Sequence, residues 1–118
     1  MFSFTILEKN GHIFVELQGR LMIHEDAQKL HQDITKQINE EKNHVIISFD
    51  KLDYLNSSGL GALITILTKS RNMGGDTIIT KVPQIITKLL LVSKLNTVFK
   101  IVEDTEEAIN SIEKIKNN

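Results

Sequence analysis

The chain of 118 residues contains no cysteine. Disulfides, thiolate chemistry and cysteine–zinc sites are therefore excluded, and a reducing compartment is compatible with the composition. It also lacks a charge bias: 14 Lys and Arg against 15 Asp and Glu leave a formal net charge of −1. With both signs interspersed, no wide face is expected to attract nucleic-acid phosphates or anionic lipid. No apolar run approaches the ~20 residues of a membrane span. The first residues, MFSFTILEKN, show no basic region followed by a long apolar stretch, so no secretory signal is read there. These absences describe a soluble, cytoplasmic protein as the expectation.

What is present suits one domain. A chain of this length buries roughly two-thirds of its unfolded surface and needs no staples. Its apolar content of 41% is that of a globular chain. A single domain over 1–118 is expected, ordered over roughly 2–113, with the polar tail 114–118 frayed.

The periodicities alternate in type. Phe2, Phe4 and Ile6 alternate with polar residues, as do Ile13, Val15 and Leu17, around an Asn10-Gly11 turn signal. This predicts an antiparallel hairpin over 2–8 and 12–18. Ala27, Leu30, Ile34 and Ile38 predict a helix within 24–42, with Glu25 and Asp26 near its start. The run Val45, Ile46, Ile47, Phe49 reads as a central strand covered on both faces. Leu60, Leu63, Ile64 and Leu67 predict one buried helix face, ending near Gly74-Gly75. A strand at 77–79 follows, then a helix opened by Pro83 with the period Ile86, Leu89, Leu90, Ser93. Phe99 and Ile101 mark a short strand, and Thr105 to Ile115 a last amphipathic helix. The order β-β-α-β-α-β-α-β-α implies an α/β domain, its sheet mostly parallel with an N-terminal antiparallel hairpin.

The stretch DYLNSSGLGA, residues 53–62, carries the chemical question. A hydrolase nucleophile elbow needs glycine two residues before and two after the serine. Leu55 and Gly59 flank Ser57, and Asn56 and Leu60 flank Ser58, so neither serine fits. A phosphate loop needs four residues between its glycines and then a lysine. Gly59 and Gly61 are one apart with no lysine following, and Ile64 stands where a dinucleotide fingerprint needs its third glycine. A helix cap on Asn56 or a serine accounts for part of the stretch. It does not account for two glycines in a first turn, each costing ~1 kcal/mol against alanine. A cap and a partner or anion site at the helix start stay equally open.

Elsewhere the readings are plain. His24 and His31 are seven apart on one helix face, but no third ligand has metal spacing, and a solvated face is expected. His12 falls in a turn and His44 before a strand. The run Leu89 to Val92 is mostly core, with Leu91, and Ile66 on the preceding helix, as candidates for an exposed apolar strip.

Taken together, VIISFD, LDYLNSSGLGALITI, GGDTIIT and KLLLVSKLNTVFKIVEDTEEAI resemble the STAS domains of the bacterial anti-sigma factor antagonist family, over essentially the whole chain. The resemblance implies a small α/β domain without catalytic activity, cofactor, metal or small-molecule substrate. It implies partner switching: the antagonist binds an anti-sigma factor that is also a serine kinase, is released on phosphorylation, and is reset by a phosphatase. The phosphoacceptor carried over is Ser58, before the motif glycine, with Ser57 second. The implied docking surface comprises Asn56, Ser57, Gly59, Leu60 and Gly61, with Met22, His24 and Leu91 around it. This chain departs from the family pattern at two places. Asn56 and Met22 stand where the family commonly has aspartate. A permanent subunit of a larger assembly, such as a lipid-transport complex or signalling scaffold, is the alternative. A small enzyme or nucleotide binder is the third reading, opposed by the incomplete motifs.

Overall fold

The chain folds on a hairpin whose turn is set by two residues. Asn10 and Gly11 have φ of 55° and 79°, the left-handed pair that a tight hairpin turn requires. They join β1 (Phe2–Lys9) to β2 (His12–Leu21), paired antiparallel from Phe2↔Gly19 to Lys9↔His12. The computed structural model describes residues 1–116, with side chains through Lys114.

After the hairpin come α1 (His24–Thr35), β3 (His44–Leu55), α2 (Ser57–Asn72), β4 (Asp76–Thr80), α3 (Gln84–Val92), a 3-10 turn, β5 (Lys100–Val102) and α4 (Thr105–Lys116). The sheet order is β1-β2-β3-β4-β5, parallel everywhere except β1 against β2. The predicted order and sheet type are those observed.

The central strand shows why a near-continuous apolar run was needed. Val45, Ile47 and Phe49 point to a core shared with Leu30 of α1, Leu63 and Ile66 of α2, and Ile86 and Leu90 of α3. Ile46 points the other way, to Ile78 and to Ala108 and Ile112 of α4. Alternate side chains thus serve two helical layers. Beyond Ser48, β3 loses its β4 partner; it runs on to Leu55 beside β2 alone.

Four expectations are corrected. The helix expected within 24–42 stops at Thr35. There the Thr35 hydroxyl donates back to the His31 carbonyl at 2.6 Å, and Asn39 Oδ1 accepts from the amides of Glu41 and Lys42 at 2.9 and 2.8 Å. These side-chain bonds offer the backbone a turn in place of helix. Ile38 keeps its place in the core from outside the helix. Ile66 is not on an exposed strip but fully buried; Ile64 is the exposed isoleucine, at 39%. The packed face of α2 runs through Ala62, Leu63, Ile66, Leu67 and Ser70, a phase rotated from the one predicted. In Leu89 to Val92 only Leu90 is fully buried; Leu91 is 54% and Val92 84% exposed. His12 and His44 lie within strands and are buried, their rings 6.1 Å apart. At the C-terminus, α4 runs to Lys116. The expectation for Asn117 and Asn118 falls outside the described residues.

The two helix assignments are separable by mutation. Ile66→Ala should lower unfolding free energy by about 2–5 kcal/mol, and Leu91→Ala should change it by less than ~0.5 kcal/mol. Denaturant unfolding of both variants measures this.

Candidate functional site

The site is built where β3 ends and α2 begins. Asn56 is extended, with φ −107° and ψ −168°, and caps α2. Its Oδ1 accepts from the Gly59 amide at 3.2 Å, which satisfies one of the orphan first-turn donors. Its amide nitrogen Nδ2 donates to the Met22 carbonyl at 2.8 Å. Its backbone N–H donates to the Leu21 carbonyl at 3.2 Å, and its carbonyl accepts from Leu60 at 3.0 Å. One residue therefore ties three elements: the end of β3, the start of α2, and the connection from β2 to α1.

This accounts for asparagine at position 56; the bond uses the backbone carbonyl of Met22, not its side chain. An ionised aspartate accepts hydrogen bonds and donates none. At position 56 it would keep the cap but set a carboxylate against the Met22 carbonyl. Asparagine supplies acceptor and donor at once. The two unusual residues are bonded to each other across a separation of 34 positions.

The two glycines have different roles. A Cβ on Gly59 would lie 3.0 Å from the Leu21 side chain and from the Leu55 Cβ. Gly59 is buried, and its lack of a side chain lets α2 rest against the ends of β2 and β3. A Cβ on Gly61 would meet nothing within 4 Å, and Gly61 is exposed. No packing inside the domain requires glycine there.

Between cap and glycines, Ser57 is exposed and Ser58 half-buried. Neither hydroxyl makes a hydrogen bond among the described residues. Their amides, at the first two helical positions, have no helical acceptor. The first turn of α2 carries no acidic residue, so its positive dipole end is uncompensated there. Met22 and Ile23 beside the cap are 38% and 59% exposed.

The remaining predicted residues are dispersed. His24 is exposed as the first residue of α1, two positions beyond Met22. Leu60 is half-buried and packs against the core. Leu91 is exposed on a separate element, α3. No group of three His, Asp or Glu side chains is placed to hold a metal among the described residues. Sequence reasoning missed Ile23 and Ile64 as exposed apolar residues, and it missed the Asn56–Met22 bond. An apolar residue directly before a helix start was the available signal for Ile23.

A model of the STAS domain matches residues 3–108, and the chain belongs to the STAS domain family. STAS domains are in general regulatory domains without enzymatic activity. BtrV of Bordetella bronchiseptica, named as an anti-sigma factor antagonist, is 20% identical over 104 residues, covering 88% of this chain and 89% of BtrV. SpoIIAA, the Bacillus cell fate determinant, was solved in its phosphorylated form; it superposes with a TM-score of 0.72 at 21% identity, over 93% of this chain and 99% of that one. A sulfate transporter family protein from Wolinella succinogenes superposes with a TM-score of 0.78 at 13% identity, over 95% and 93% of the two chains. The structural likenesses show the fold. No helix among the described residues is long and apolar enough to cross a membrane.

Two sets of variants probe this geometry. Asn56→Asp should destabilise the domain by about 1 kcal/mol through the lost bond to Met22, since aspartate caps as well as asparagine. Gly59→Ala should cost about 1–3 kcal/mol by overpacking, and Gly61→Ala should stabilise by about 0.5–1 kcal/mol. Thermal melts on the four proteins read all three effects.

Proposed function

We propose that this protein is an anti-sigma factor antagonist that works by partner switching, with Ser58 as its phosphoacceptor. The observation that carries the reading is the state of that side chain. Ser58 stands in the first turn of a helix already capped by its neighbour, and its hydroxyl holds nothing together. A group that holds nothing can be modified without unfolding what surrounds it. The relatives named as antagonists support the same assignment.

The chemistry follows from charge. A phosphoryl group adds about −1.5 to −2 charges at neutral pH. At the start of α2 it meets free amides and the positive dipole end, worth ~0.3–1 kcal/mol in its favour. The neutral Asn56 adds no repulsion. The domain therefore keeps its fold while its surface changes. A partner seated on Gly59, Leu60 and the exposed Gly61 would have to accommodate a hydrated dianion, and it dissociates through repulsion and desolvation. Of the two serines Ser57 is the more exposed; Ser58 is preferred because it directly precedes the motif glycine.

The permanent-subunit reading rests on one observation: the cap carries no acidic group to meet a kinase. The two readings separate in one experiment. The protein is incubated with its anti-sigma factor serine kinase and ATP, then analysed by pull-down and intact mass. One added phosphate is expected, abolished by Ser58→Ala and retained in Ser57→Ala. Ser58→Ala should stay bound, and Ser58→Asp should bind at least about tenfold more weakly, a loss of ~1.4 kcal/mol. Binding that ignores both Ser58 substitutions supports the permanent subunit instead.

A further inference from the structure

A groove lies away from Ser58, between the last turn of α1 and the C-terminal half of α2, with a volume of about 670 Å³. We propose that it is a docking groove for a short acidic amphipathic helix of a protein partner. The proposal is independent of how Ser58 is read.

The floor is more apolar than its sequence. Ile64 lies there, 39% exposed. Thr35, Thr65 and Thr68 line it too, and each turns its hydroxyl back onto its own helix. Thr35 donates to His31 at 2.6 Å, Thr65 to Gly61 at 3.0 Å, and Thr68 to Ile64 at 2.8 Å. With their polar atoms satisfied, the threonines have mainly methyl groups left to offer a partner.

The rim has one sign of charge. Lys36 and Lys69 line the groove, and no carboxylate does. Neither lysine is in an ion pair among the described residues, whereas Lys29, Lys42, Lys51 and Arg71 are. All of α2, SSGLGALITILTKSRN, contains no Asp or Glu, in a chain with 15 of them. Lysines at helix ends also complement the dipole. That accounts for Lys36 and Lys69, but not for a four-turn helix without any carboxylate.

An apolar floor between two helices with a cationic rim fits a third helix: apolar at i, i+3, i+4 and i+7, acidic along its flanks. The stretch from Ile64 to Asn72 is roughly 12 Å long, enough for two to three turns. Complementary charge sets register and speeds encounter, and the floor supplies the burial.

The test uses the full chain, labelled with nitrogen-15, and three probes: a helical peptide with a leucine stripe flanked by glutamates, the same peptide flanked by lysines, and phosphatidylglycerol vesicles. The acidic peptide should shift the amide signals of Thr35, Lys36, Ile64, Thr68 and Lys69, and the basic one should not. Lys36→Glu with Lys69→Glu should weaken the acidic peptide about tenfold and confer binding of the basic one. No groove shifts with the acidic peptide, equal shifts with both peptides, or vesicle binding in their place would overturn the proposal. Both lysines are on the surface, and an unchanged amide spectrum of the variant confirms its fold.

Discussion

One side chain ties together the end of this domain where β3 gives way to α2. The Asn56 carboxamide bonds forward to Gly59 and sideways to Met22. A parallel sheet has no short route between the end of one strand and the connection leaving its neighbour. β2 and β3 finish side by side at Leu21↔Leu55, and each must then launch a helix. Without a cross-link the two launches are independent, and the helix starts can shift relative to each other. The amide fixes both with uncharged groups.

The start of α2 is marked by what is missing from it: no acidic group in the first turn, no side chain at Gly61, no internal task for either serine hydroxyl. On the proposed reading, a phosphoryl group on Ser58 would be the first anionic group in that turn. The contact of Gly59 with Leu21 and Leu55 keeps the helix start pressed onto the strand ends.

Much of the fold was legible because it rests on local rules. Asn10-Gly11 sets a turn by backbone sterics alone, and the apolar run from Val45 to Phe49, rich in β-branched residues, suits a doubly covered strand. The failures came where tertiary or side-chain bonds decide. α1 ends early because Thr35 and Asn39 divert its backbone, which periodicity does not register. Ile64 and Ile66 exchange places because either phase fills a helix face with apolar residues, and only the neighbouring strands choose between them. For the site, spacing excluded the hydrolase and phosphate-loop chemistries. The likeness to a family pointed to the serine. The partnership of Asn56 with Met22 was hidden because hydrogen bonds between distant positions leave no pattern in a single chain.

β3 outlasting β4 has a mechanical consequence. From Ser48, its last position paired with β4, the strand continues to Leu55, a reach of roughly 20 Å. The serines are thereby carried past the end of the short strands to a prominent corner of a molecule whose longest extent is 38 Å. A large protein can engage that corner without having to envelop the sheet. Access costs the domain little, because the strand that provides the reach is also its most heavily packed one.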